Sequence, residues 1–133
     1  MDAGLFAGRH VRGELYGVSP ELLDDEIQLC DLLAQALTRA GATILSVSSH
    51  RFTPQGVTVL ALLSESHAGI HTYPETSTCF LDIFTCGTRA DPELALLLMS
   101  ESLRPERMRS QTIERGLPAP APLARINPSG ALL

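Results

Sequence analysis

Between Pro20 and Gly41 the apolar residues Leu23, Ile27, Cys30, Leu33 and Leu37 fall three or four positions apart, the spacing of one helix face. Such a stripe is stable only when it is buried against a second layer, so this stretch constrains the fold more than any other. Its ends are punctuated. Ser19-Pro20-Glu21 supplies an N-cap, a proline at the first helical position and an acid in the first turn, and Gly41 stands where a C-terminal cap belongs. The flanking segments read as strands. Arg9 to Gly17 carries Val11, Leu15 and Tyr16 and is closed by Gly17. Ala42 to Phe52 alternates loosely through Ile44 and Val47 and breaks at the turn Thr53-Pro54-Gln55-Gly56. Val57 to Leu63 is almost wholly apolar and β-branched at its start, which suits a buried central strand.

Further on, Ile70 to Tyr73 forms a short strand stopped by Pro74, and Phe80 to Cys86 another ended by Gly87. Asp91-Pro92-Glu93 opens a second helix by the logic of the first, its apolar face including Leu94, Leu97 and Leu98, and Arg107 to Glu114 reads as a last strand. The order is β-α-β-β-β-β-α-β with short turns between consecutive strands. It predicts an α+β fold: a two-layer sandwich of a mostly antiparallel sheet with helices packed on one face. A chain of 133 residues suits one domain with its own core. Residues 1–116 are expected to form that domain. Residues 117–133, with four prolines and little periodicity, are expected to be an extended or disordered tail.

Charge and composition exclude several classes of function. The net charge of -5 argues against nucleic acid, whose phosphates require clustered cations. No lysine is present, so imine chemistry cannot start from a lysine amine and no P-loop lysine exists. Cys30, Cys79 and Cys86 are an odd number without framework spacing, which favours a reducing compartment. Met1 to His10 lacks the apolar core of a signal peptide, and no apolar run approaches 18 residues, so a soluble cytoplasmic protein is expected, with no membrane partner.

The chemistry-bearing residues gather between Ser64 and Gly87, where Ser66, His67, His71, Glu75, Cys79, Asp82 and Cys86 stand. Three readings compete. A zinc site drawn from His67, His71, Cys79 and Cys86 has the right donors, but a His-x3-His pair belongs on a helix and the cysteines lack a close pairing. A cysteine–histidine nucleophile pair is the second. In the third, the histidines are satisfied polar residues and the cysteines small core residues.

The segments Gly8-Arg9-His10, Tyr16-Gly17, His50 to Val57, Glu65-Ser66-His67, Ile70 to Glu75 and Asp82 to Gly87 stand in an order that resembles the small bacterial and archaeal S-adenosylmethionine decarboxylases. The likeness runs from about Gly8 to Glu114 and leaves only the tail outside it. It implies a proenzyme that cuts itself between Glu65 and Ser66. The Ser66 oxygen attacks the preceding carbonyl, a base takes the Ser66 α-proton, the ester is expelled by β-elimination, and hydrolysis leaves a pyruvoyl group at position 66. That self-generated cofactor is a protein-bound carbonyl, which replaces the missing lysine as partner for the substrate amine and serves as an electron sink for decarboxylation.

The resemblance also assigns roles. His71 corresponds to the processing base, Cys86 to the proton donor, Thr58 to a hydroxyl that assists processing, Phe52 to a ring that stacks on adenine, and Glu75 to the acid that holds the ribose hydroxyls. Tyr73 joins them on the binding side, and Glu65 contributes to processing and to the site after cleavage. A free thiol with a pKa near ~8.5 is mostly protonated at neutral pH and can act as an acid. In a regular strand, the odd offset from Ser66 to His71 puts the two side chains on opposite faces, so a bend or bulge at Ala68-Gly69 is expected to re-aim them. Family members are dimers of processed protomers, which implies a homodimer here.

The sequence departs from the family pattern in places. Tyr73 stands for the usual tryptophan, Thr58 for serine and Ser64 for the commoner alanine, and Thr76-Ser77-Thr78-Cys79-Phe80 replaces an aromatic and glycine-containing segment. Processing residues are kept better than the pocket wall. The favoured reading is therefore a pyruvoyl-dependent decarboxylase of S-adenosylmethionine that makes the aminopropyl donor for polyamine synthesis. Two rivals stay open: the same chemistry on arginine or ornithine, or an unprocessed paralogue acting as a binding or regulatory subunit.

Overall fold

The computed structural model describes residues 7–64, 66–116 and 121–122. The proposed tail therefore lies almost wholly outside the described residues, as does Glu65. Six strands, β1 (Gly8–Tyr16), β2 (Ile44–Arg51), β3 (Val57–Leu63), β4 (Ser66–Tyr73), β5 (Thr78–Cys86) and β6 (Arg107–Arg115), form one sheet in the order β2-β3-β4-β5-β1-β6. Every neighbouring pair is antiparallel. Helices α1 (Pro20–Leu23), α2 (Glu26–Arg39) and α3 (Pro92–Leu103) pack on one face. The expected α+β sandwich is the observed fold, and the strand Val57–Leu63 has the bounds read from the sequence, but it is buried on one face only instead of on both, because no described helix packs over Leu60 and Leu62.

Strand alternation sorts the two faces. Val11, Leu15, Val59, Ala61, Ile70, Leu81 and Ile83 are buried under the helices. Leu29, Leu33 and Leu37 of α2 meet them, each fully buried and each contributing about 1.5–3 kcal/mol of transfer free energy. On the opposite face no described element covers the sheet, and Leu60 and Leu62 remain 52% and 55% exposed. An apolar sheet face left open this way marks an interaction surface.

Three local expectations are corrected. The single helix from Pro20 breaks after Leu23. Asp25 starts α2 anew as its N-cap, its carboxylate accepting the Gln28 N–H at 3.1 Å. The break shifts the helical phase, so the buried stripe is Leu29, Leu33, Ala36 and Leu37 while Ile27 is 77% exposed. In α3 the buried residues are Ala95, Leu96, Leu98, Met99 and Leu103, and Leu94 and Leu97 face outward. Finally, β4 starts at Ser66 and keeps unbroken register with both neighbours, so no bulge forms at Ala68-Gly69. Gly41, at φ 94°, does close α2 as expected. No helix among the described residues is long and apolar enough to cross a membrane.

Candidate active site

Leu63 and Ser66 are register partners across β3 and β4, so Ser66 is the first strand residue after a tight reversal. Its Oγ donates to the Ser64 carbonyl oxygen at 3.2 Å and accepts the Cys86 backbone N–H at 3.4 Å. The hydroxyl is thus turned back on the segment that precedes it. Cys86 ends β5 and by alternation presents its side chain on the open face with Asp82 and Phe84. Around this corner, the Phe84 ring touches His10 (centroids 6.2 Å apart) and His67 (5.6 Å), and the Arg115 guanidinium carbon lies 4.7 Å from its centroid.

A second group occupies the other end of the same face. Thr58 and His71 are cross-strand partners, and Thr58 Oγ1 is 3.0 Å from His71 Nδ1. A hydroxyl both donates and accepts, so this contact holds the imidazole ring in either tautomer and leaves Nε2 for another task. Phe52, 47% exposed, is not a core residue; it meets the edge of His50, with centroids 4.6 Å apart. His50 is in turn the partner of Thr58. The Tyr73 ring leans on Phe80 at 5.2 Å, and Glu75 follows, itself exposed, in the 3-10 turn Pro74–Thr76.

The expected residues therefore form two sets. Ser66 joins Cys86, and His71 joins Thr58 with Phe52, Tyr73 and Glu75 nearby. Five residues of unbroken strand, each rising ~3.3 Å, separate Ser66 from His71 by roughly 17 Å within one chain. His71 of a protomer does not reach its own Ser66.

Cys79 is fully buried on the helix side, and burial pushes its thiol up to about 12. His67, His71 and Cys86 occupy the other face, so the four candidate zinc donors cannot share one ion. Core packing explains Cys79.

Sequence reading missed the pair His10 and Asp82, whose Nε2 and Oδ1 are 2.9 Å apart although 72 residues separate them. Both stand in quoted motifs, and alternation places Asp82 on the face of Phe84 and Cys86; their meeting requires β1 to lie beside β5. Arg115 and His50 were likewise passed over. A depression of about 640 Å³ on the open face is lined by Arg12, Glu14, Phe80, Asp82, Arg109 and Gln111. It does not contain Ser66, and its polar side chains are largely partnered: Arg109 bridges to Glu14 at 3.4 Å, Arg12 donates to Gln111 and Asp82 meets His10.

Fold and site together define a two-layer α+β protein in which Cys86 and the Thr58–His71 pair lie at opposite ends of one uncovered sheet face, while Ser66, which has the strand parity of buried Ala68 and Ile70, starts β4 beside the Cys86 amide. Residues 9–116 match the family model described as S-adenosylmethionine decarboxylase, and the chain belongs to that family. It is 46% identical over 110 residues to the S-adenosylmethionine decarboxylase proenzyme of Brevibacillus brevis, covering 83% of each chain. With the proenzyme of Parasynechococcus marenigrum it shares 46% over 112 residues, which cover 84% of this chain and 88% of that one. The adenosylmethionine decarboxylase structure from Aquifex aeolicus superposes with a TM-score of 0.76 at 33% identity, covering 83% of this chain and 91% of that one. The Trypanosoma brucei AdoMetDC monomer shares the fold alone, at a TM-score of 0.55 and 13% identity, with 77% of this chain matching 44% of that one.

Proposed function

We propose that this chain is a self-processing decarboxylase of S-adenosylmethionine, supplying the aminopropyl donor for polyamine synthesis, with residues 1–116 as its working domain and the cytoplasm as its location. The observation that carries the reading is the Ser66 hydroxyl, held between the Ser64 carbonyl oxygen and the Cys86 amide immediately after a chain reversal. From there Ser66 attacks the carbonyl of residue 65, exchanging its amide for an ester. Removal of the Ser66 α-proton expels the 1–65 fragment as a carboxylate. The dehydroalanine left behind takes up water and loses ammonia, which yields the pyruvoyl group. These residues fit that cofactor: a serine at a strand start, a cysteine whose backbone N–H reaches its hydroxyl, and no competing lysine amine. When present, the group supplies the carbonyl that engages the substrate amine and accepts electrons as carbon dioxide leaves. Cys86 is positioned to return a proton to the substrate carbon, and Phe52, Tyr73 and Glu75 bind the nucleoside end.

The roughly 17 Å between Ser66 and His71 supports a homodimer. A two-fold axis lying between two open faces and running across the strands lays one end of the strand set over the other end of its partner's. Each Cys86 end of the open face, with the start of β4 at its rim, then meets a Thr58–His71 pair from the second protomer, and Leu60, Leu62 and Phe80 leave water. His71 acts as processing base in that arrangement, held by Thr58.

The test is mass spectrometry and carbon dioxide release on purified protein. Two fragments split before residue 66, the second blocked by pyruvoyl, with release from S-adenosylmethionine, are expected. A chain that stays whole, or one that cleaves but leaves S-adenosylmethionine untouched, refutes the proposal. Ser66→Ala and His71→Ala chains, each inert alone, should restore cleavage of the His71→Ala chain when mixed. Failure of that rescue removes the shared site.

A further inference from the structure

We infer that Arg115 anchors the carboxylate of the amino-acid substrate, an assignment that rests on Ser66 and Cys86 being the reaction centre. The substrate brings a carboxylate to a chain without lysine, so a permanently charged side chain beside the centre has to be arginine. The other arginines of β1 and β6 with assigned contacts are turned elsewhere. Arg9 pairs with Asp91 at 3.5 Å and with Glu93, Arg12 donates to Gln111, Arg107 lies 5.9 Å over the Tyr16 ring, and Arg109 is held by Glu14 and Tyr16.

Arg115 differs in place and in bonding. Gly8 is the register partner of both Cys86 and Arg115, so these two flank a residue with no side chain, with Cα atoms about 10 Å apart. That glycine is needed. A Cβ on Gly8 would stand 2.6 Å from the Phe84 ring, which leans over it. The Arg115 guanidinium rests on the same ring, 4.7 Å from its centroid. Stacking on an aromatic occupies the flat face of a guanidinium and leaves its N–H edges free for a planar, two-oxygen acceptor. Among the described residues, no carboxylate pairs with Arg115. Gly8, Phe84 and Arg115 thus build a cation shelf on the open face beside Cys86.

The test compares two ligands on self-processed enzyme: S-adenosylmethionine and its decarboxylated product, which keeps the sulfonium, nucleoside and amine but has no carboxylate. In Arg115→Met, whose side chain still covers Phe84, KM for the substrate should rise about tenfold, the value of one charge-assisted contact. The inhibition constant of the product should stay within about twofold. Arg115→Lys should fall between parent and Arg115→Met, and it carries the same comparison where Arg115→Met does not accumulate processed protein. A substrate KM that stays put, or equal weakening of substrate and product, overturns the inference while leaving the Ser66 reading intact. A parent chain that never cleaves overturns both, and shows as an intact mass before any variant is made.

Discussion

Replacing Thr72 by valine should destabilise the fold by about 3 kcal/mol. Thr72 is 5% exposed, and its Oγ1 donates to the Leu23 carbonyl at 2.6 Å while accepting the Val57 N–H at 2.8 Å. One hydroxyl thereby ties the end of α1 to the start of β3. Valine has the same shape and no hydroxyl, so a carbonyl and an N–H lose this partner in the interior. Each orphaned group costs ~1–3 kcal/mol, and the extra buried methyl returns about 0.8 kcal/mol. Thr72→Ser keeps both hydrogen bonds and forfeits one methyl, about 1 kcal/mol. The expected order is parent, then serine, then valine. Urea unfolding in an uncleavable Ser66→Ala background measures it, because one unbroken chain keeps the transition two-state. The valine variant should also melt roughly 10 °C lower at this chain size. A valine variant as stable as the serine variant would refute the reasoning, since the hydroxyl would then contribute nothing beyond its methyl neighbour.

Two further outcomes follow from local geometry. The Gly56 N–H at 2.9 Å and the Arg51 guanidinium at 2.6 Å hold the Asp24 carboxyl below its ordinary 3.8. A depressed folded value gives stability that is full above 3.8 and lost as pH falls through the folded value, so the advantage of parent over Asp24→Asn should be present at pH 7 and shrink at pH 3; equal urea-midpoint gaps at both would contradict it. Arg104 caps α3 in the left-handed region at φ 54°, so Arg104→Gly should raise the melting temperature by about 3 °C, for roughly 1 kcal/mol of relieved strain, and a lower melting point would count against that strain.

Much of the fold was legible because its signals are local. The apolar, β-branched run Val57–Leu63, the turn at Thr53 to Gly56 and the cap at Gly41 need no knowledge of distant residues. The helix stripe was misread for an equally physical reason: a break at Asp24-Asp25 resets the 3.6-residue phase, and a period counted across it assigns Ile27 to the core. Leu94 and Leu97 were misassigned because α3 is apolar nearly all round, so its sequence pattern does not distinguish the buried side from the exposed one.

The sequence by itself determined the strand and helix order, the absence of a lysine amine and the motif that carries Ser66, His71 and Cys86. Strand parity also warned that Ser66 and His71 point to opposite faces. The tertiary structure decided which side chains meet. Insertion of β1 between β5 and β6 brings His10 to Asp82 and Arg115 to the ring of Phe84, contacts across 72 and 31 residues that no local period encodes. The straight run of β4 decided the largest question, because an unbroken ladder fixes about 3.3 Å per residue and keeps His71 away from its own Ser66. Residues adjacent in a motif are held apart by the strand that carries them.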